Sequence, residues 1–212
     1  MNRKRAVLAD DHEMLLDGLR QLLTPELDIV GMAANGHALV DLVAKLKPDV
    51  VVADIGMPLL NGLDALRKLR SQGMKTRFVF LTGNLDVALA TRAIRLGASG
   101  YVLKHSASEE LLQAVRAANE GHTYITPRIA AEVLQNLMEG PKDEGPSLTS
   151  REREVLQLLA EGMTLKEAAS VLKVSPRTIE FHRNNIADKT GLRTTAELAR
   201  YAAREGIVPE QA

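Results

Sequence analysis

Val50-Val51-Val52-Ala53-Asp54-Ile55-Gly56-Met57-Pro58 is the stretch on which the fold turns. Four apolar residues run without a polar interruption and stop at a single carboxylate. A strand with one wet face alternates apolar and polar residues, whereas one buried on both faces is apolar throughout, the habit of parallel sheets. Working outward, four more runs share this character: Ala6-Val7-Leu8-Ala9, Ile29-Val30-Gly31-Met32, Phe78-Val79-Phe80-Leu81 and Tyr101-Val102-Leu103. Between them apolar residues recur at helical spacing, as in Leu15, Leu16, Leu19, Leu22 and Leu23, then Leu39, Leu42, Val43 and Leu46. Strand and helix in alternation predict a parallel sheet wrapped by helices, an α/β domain.

The chain has 212 residues, 45% of them hydrophobic and 25% charged, which suits two small domains with packed cores. It has no cysteine, which removes disulfides, thiolate metal sites and cysteine nucleophiles. The basic start Met1-Asn2-Arg3-Lys4-Arg5 is followed by an apolar run that ends at Asp10-Asp11, too short for a signal peptide. No stretch reaches the roughly 20 apolar residues of a membrane span, so the expected location is the cytoplasm, with no membrane partner. Lys and Arg total 27, as do Asp and Glu. Bulk charge therefore offers no support for nucleic-acid binding, and any such role must come from local sequence.

From about residue 125 no further strand is expected. A helix over Pro127 to Met138 leads into Glu139-Gly140-Pro141-Lys142-Asp143-Glu144-Gly145-Pro146-Ser147, a run of proline, glycine and charge that reads as a linker or an exposed loop. The predicted division is residues 1–122, a connecting helix and linker over 123–147, and an all-helical domain over 148–212. Helices are predicted over Ser150–Ala160, Leu165–Leu172, Pro176–Thr190 and Thr195–Glu205. Thr149-Ser150-Arg151-Glu152 has the form of a capping box, and Ser175-Pro176 supplies an N-cap with proline at the first helical position. The short turn Lys173 to Ser175 joins two of these helices in the manner of a helix-turn-helix, a pattern any small bundle can share.

In parallel α/β sheets functional groups collect beyond the carboxyl ends of the strands. Asp10 and Asp11 follow the first strand, Asp54 the third, Thr82 the fourth and Lys104 the fifth. Taken singly, each has a bland explanation as a turn, a cap or a solvated end. Together they put three carboxylates, a hydroxyl and an ammonium in one crevice. Clustered carboxylates repel one another and call for a hard divalent cation, with Mg2+ the best match. With a cation present, Asp54 can act as a carboxylate nucleophile that holds an acyl phosphate. Lys104 would offset the phosphoryl charge, and Thr82 would donate to a phosphoryl oxygen.

These residues, with Ile55-Gly56-Met57-Pro58, Gly62 and Gly97-Ala98-Ser99-Gly100-Tyr101-Val102-Leu103-Lys104, give residues 4 to 122 a strong resemblance to the receiver domains of response regulators. The resemblance implies a flavodoxin-like (βα)5 fold in which Asp54 is phosphorylated by a sensor histidine kinase or a small acyl-phosphate donor. It implies magnesium on Asp11, Asp54 and the Gly56 carbonyl, with Asp10 assisting. It also makes Thr82 and Tyr101 a switch pair, the hydroxyl moving toward the phosphoryl group and the ring filling the space left behind. Ala53 and Gly83 stand where family members often carry a bulkier residue and an alanine.

In Pro176–Thr190 the inward spacing takes Ile179, His182 or Arg183, Ile186 and Thr190. Arg177, Glu180, Phe181, Asn184 and Asp188 then point mostly outward, and an outward phenylalanine suits a thymine methyl. The runs Leu148 through Gly162, Lys166-Glu167-Ala168-Ala169 and Ser175 through Ile186 resemble the LuxR-type four-helix domain, and the whole chain resembles the NarL/FixJ subfamily. That resemblance implies binding of double-stranded DNA, with Glu180, Phe181 and Asn184 near base edges and Lys166, Arg177, Thr178 and Lys189 near phosphates. It also implies a homodimer on phosphorylation, with Leu198, Ala199, Tyr201 and Ala202 on a dimerisation helix. That helix has the alternative role of closing the small core. His182 reads as a packed residue, not a ligand.

The expected function is a phosphorylation-controlled transcription factor, not an enzyme, in which the unphosphorylated receiver masks either the DNA-reading surface or the dimer interface. Two other classes remain open on the sequence: an interaction module that does not bind DNA, and an aspartyl-phosphate phosphotransferase. Against the latter, Gly56 stands where such hydrolases carry a second carboxylate.

Overall fold

The computed structural model describes residues 3–83, 85–105, 108–140 and 148–208. Strands form where the apolar runs predict them: β1 Lys4–Ala9, β2 Leu27–Ala33, β3 Val50–Asp54, β4 Arg77–Thr82 and β5 Gly100–Leu103. Helices alternate with them: α1 Glu13–Leu23, α2 Gly36–Leu46, α3 Gly62–Ser71, α4 Val87–Arg95 and α5 Ser108–Glu120. A sixth strand, β6 Tyr124–Ile125, corrects the expectation that strands end before it. Two residues are too few to show a period, and only the open edge of β5 gives them a partner.

The sheet runs β2-β1-β3-β4-β5-β6, with every adjacent pair parallel. The order reverses between β1 and β3, and a crevice opens beyond the carboxyl ends of those two strands. Val51, Ala53, Phe78, Phe80 and Tyr101 pack toward α2, α3 and α4. Val50, Val52, Val79, Leu81 and Val102 pack toward α1 and α5. Burial on both faces explains the unbroken apolar runs, since each fully buried Val, Leu or Phe contributes about 1.5–3 kcal/mol. Edge strand β2 is only partly covered.

Gly62 opens α3 against the back of the crevice: a Cβ there would run into the Asp54 carbonyl oxygen. Any side chain would push α3 off the end of β3. Asn61 caps the helix, its side chain accepting from the Asp64 amide at 2.8 Å.

Helix α6, Pro127–Met138, lies on α4, with Ile129 and Val133 in the same core as Leu89, Ala90 and Ala93. Residues 141–147, most of the expected linker, fall outside the described residues. Then come α7 Ser150–Ala160, α8 Leu165–Leu172, α9 Pro176–Thr190 and α10 Thr195–Arg204. The capping box at Thr149 and Glu152 forms, and two more unite Thr164 with Glu167 and Thr194 with Glu197. Ser175 caps α9 with Pro176 at its start, and Lys173 takes the left-handed conformation (φ 51°) that makes the preceding turn sharp. Val155, Leu156, Leu159, Ala168, Ile179, Ile186, Leu198, Tyr201 and Ala202 form this domain's own core.

The two domains meet along a polar seam. Arg153 on α7 donates from Nε to Asp64 Oδ1 on α3 at 2.7 Å, with both side chains buried. Gln157 Oε1 accepts from the Asn61 amide at 2.8 Å while Gln157 Nε2 donates to the Met57 carbonyl at 2.9 Å. Lys68 pairs with Glu154 at 3.0 Å. Among the described residues no helix is long and apolar enough to cross a membrane.

Candidate functional site

The crevice beyond β1 and β3 gathers the groups that the sequence pattern selects. It encloses about 500 Å³, and Asp11, Asp54, Gly56, Thr82 and Lys104 all line it. Asp10 lies beneath, almost fully buried, and Lys104 bridges the two central carboxylates: its Nζ is 2.7 Å from Asp10 Oδ2 and 3.0 Å from Asp54 Oδ2. Backbone geometry fixes the reach of that lysine, because its amide continues the β4–β5 ladder by donating to the Thr82 carbonyl at 2.7 Å.

Burial raises the Asp54 pKa above the ordinary carboxylate value, against the pull of the Lys104 ammonium and a hydrogen bond from the Gly56 amide. Burial by itself would lower the Lys104 pKa, but Asp10 and Asp54 outweigh it and leave the group raised and charged. The result is a carboxylate oxygen that is poorly solvated beside a fixed positive charge. Such an oxygen is a better nucleophile than a hydrated carboxylate, and a cation beside it can stabilise negative charge on an incoming group.

Tyr101, fully buried on β5, shares a side-chain hydrogen bond with Thr82, and burial raises its pKa. The expected switch pair is therefore in contact, with the ring inward. His12 is a site residue that the sequence reading missed. Its Nδ1 lies 3.0 Å from both Asp10 Oδ1 and Asp11 Oδ1, and the Asp10 hydrogen bond, with charge from both aspartates, raises its pKa. Its place directly after Asp10-Asp11 was the available signal.

Asp10, Asp11 and His12 could together hold a metal ion. Asp11 and Asp54 bring carboxylates to the crevice, and oxygen is the donor type that magnesium prefers. Asp10 is already held by Lys104 and by the His12 amide, which donates to its Oδ1 at 3.0 Å. It stands behind those oxygens, as an assisting carboxylate would.

Across the molecule, Ile179 and Ile186 anchor α9, while Arg177, Glu180, Phe181 and Asn184 are exposed. Phe181 is 60% exposed, a large apolar cost on a surface with no partner. His182 is half-buried with its ring edge-on to Phe181, and Arg183 is exposed, so the histidine takes the inward position left open between them. Lys166 is exposed at the start of α8. The Thr178 hydroxyl sits 2.9 Å from Ser175 Oγ within the cap. Lys189 is paired with Glu152 of α7 at 2.7 Å, so phosphate contact would require it to share or leave that carboxylate.

Residues 6–116 match the family model of the response regulator receiver domain, and residues 146–202 match that of the luxR family of bacterial regulatory proteins. The nitrate/nitrite response regulator protein NarL of Escherichia coli is 35% identical over 208 residues, covering 95% of both chains. The transcriptional regulatory protein LiaR of Bacillus subtilis is 34% identical over 208 residues, 96% of this chain and 99% of that one. Among solved structures, the complex of the two-component response regulator RcsB with DNA is similar with a TM-score of 0.59 and 27% identity, covering 95% of this chain and 98% of that one.

Proposed function

This chain belongs to the two-component response regulators that join a receiver domain to a LuxR-type DNA-binding domain, and on that premise we propose how its parts act. It is a phosphorylation-regulated transcription factor, and Asp54 is its phosphoacceptor. The observation that carries this reading is the Lys104 ammonium held between Asp10 and Asp54 at the mouth of the β1–β3 switch point. Asp54 attacks phosphorus through a carboxylate oxygen, and Lys104 neutralises charge on the arriving group. Thr82 leaves its bond with Tyr101 to donate to a phosphoryl oxygen. Asp11, Asp54 and the Gly56 carbonyl would hold magnesium, with Asp10 behind them. When bound, the ion screens carboxylate and phosphoryl charge from each other.

The donor is a sensor histidine kinase or a small acyl phosphate, and the output is binding of double-stranded DNA by α9 as a homodimer in the cytoplasm. Glu180, Phe181 and Asn184 read base edges, and Lys166, Arg177, Thr178 and Lys189 approach phosphates. Exposure of the α9 face supports control through assembly instead of burial of the reading helix. Phosphorylation then acts on whether two copies can engage two half-sites. RcsB, a regulator of the same two-domain layout, is known in complex with DNA.

Two measurements test this. Mass spectrometry after treatment with acetyl phosphate and magnesium should show one phosphoryl group on residue 54. Beryllofluoride with magnesium should raise dimerisation and operator affinity in a gel shift. An unlabelled Asp54 or an unmoved gel shift would overturn the reading.

A further inference from the structure

One wall of the Asp54 crevice does not come from the receiver. Ala203, Gly206 and Val208, at the end of the DNA-binding domain, line it together with Asp54 and Thr82. Gly206 has φ +60°, a backbone conformation that strains any other residue, and a Cβ on it would press on the Leu89 side chain of α4 at 2.5 Å from Cδ1 and force it to shift. The segment is clamped from both sides. Arg92 of α4 donates to the Glu205 carbonyl at 2.5 Å and pairs with its carboxylate at 3.2 Å. Asn61 Nδ2 donates to the Ile207 carbonyl at 3.2 Å, and the Ile207 side chain is buried in the helical domain's core. The strap therefore moves only with its domain.

In-line transfer needs the leaving atom on the far side of phosphorus from the attacking Asp54 oxygen, within about 3–3.5 Å of approach. A small acyl phosphate brings little behind that atom. A phosphohistidine on a protein brings its whole helical domain.

We propose that the segment Glu205–Val208, held by Arg92 and Asn61 across the Asp54 crevice, makes the acceptor selective for the size of its phosphoryl donor. In the closed chain a small acyl phosphate reaches Asp54 through the crevice. A protein-borne phosphohistidine reaches it only after the strap lifts. In either case an Asp54 oxygen–phosphorus bond forms as the donor's phosphorus–nitrogen or phosphorus–oxygen bond breaks, the electron pair remaining on the imidazole nitrogen or acyl oxygen. The strap takes no part in the bond changes. The rate with the large donor is the intrinsic rate multiplied by the fraction of chains that are open. This inference rests on Asp54 being the phosphoacceptor.

The test uses full-length wild type, Arg92→Ala and Gly206→Val, each followed by intact-mass spectrometry with two donors. One is acetyl phosphate; the other is a four-helix histidine phosphotransfer domain charged beforehand with phosphoramidate. Both variants should speed transfer from the phosphotransfer domain by about tenfold or more, with the acetyl phosphate rate within about twofold of wild type. Arg92→Ala leaves the helical domain's own core untouched, so it serves if Gly206→Val impairs folding. Equal acceleration with both donors would overturn the proposal, since the strap would then restrain the receiver's conformation and not access. Unchanged rates with both donors, while acetyl phosphate still labels Asp54, would also overturn it. No labelling of Asp54 by acetyl phosphate in any chain is a different result: it would remove the phosphoacceptor reading itself.

Discussion

Two buried polar clusters lie a few residues apart on either side of the β3–α3 turn, and they are built on opposite principles. At the Asp54 crevice, carboxylates crowd around one lysine and leave negative charge and open oxygen sites facing a cavity. At the α3–α7 seam, polar groups are matched almost one to one: Asp64 Oδ1 accepts from Arg153 and Arg67, Asp64 Oδ2 accepts from Asn61 Nδ2, and Gln157 both donates and accepts. The first is charge held in readiness for a ligand. The second is charge cancelled within the fold, which makes it a specific latch between domains and gives it little chemistry of its own. Arg153 Nη2, buried without a hydrogen-bond partner, is a flaw in the matching.

Five substitutions and one pH titration test this contrast. The largest effect belongs to Asp54→Ala: phosphoryl labelling by acetyl phosphate should vanish, and beryllofluoride should no longer shift DNA affinity. Next comes Asp64→Ala, which strands the buried Arg153 guanidinium and should weaken the seam by about 3–5 kcal/mol. Faster hydrogen exchange along α3 and α7 and a larger hydrodynamic radius would report the opening. Arg153→Met should do less, because Asp64 keeps Arg67 and Asn61. Equal effects from the two would show that the seam is held by packing and not by paired charge.

Phe181→Ala touches neither cluster. On an exposed helix face it should change stability by no more than about 0.5 kcal/mol. Loss of a contact to a base should still cost about 1–3 kcal/mol in operator binding, measured by titration at fixed salt. A large drop in melting temperature would instead make Phe181 structural.

The smallest effect is a pH dependence. Burial raises the folded-state pKa of Asp54 above its unfolded value. With magnesium chelated, the folded chain therefore binds more protons than the unfolded chain between those two values. Stability should fall as pH rises through that window, and the carboxylate's cost should persist above it. Asp54→Asn should remove this dependence and raise the melting temperature at neutral pH. A lower melting temperature for the variant would mean that the ionised form is net stabilised by Lys104.

The cluster of Asp10, Asp11, Asp54, Thr82 and Lys104 was legible because each lies at the end of a strand, and strand ends are marked by the abrupt stop of an apolar run. Asp54 after Val50-Val51-Val52-Ala53 is the plainest case. The exposed face of α9 was legible from helical spacing about Ile179 and Ile186. The seam was not. Arg153, Glu154 and Gln157 are polar yet buried, and no local pattern distinguishes a polar face turned to water from one turned to another domain. Strand β6 escaped for a related reason, since a two-residue strand exists only through its neighbour.

By itself, then, the order of residues determined the sheet, the four-helix domain and the acidic pocket, because each depends on periodicity and burial within short segments. That Gly206 rests on Leu89 and that Glu205–Val208 lies along the crevice came from the docking of the two domains. Those contacts join groups more than a hundred positions apart, and pairing over such distances is set by which surfaces dock, not by what either segment prefers on its own.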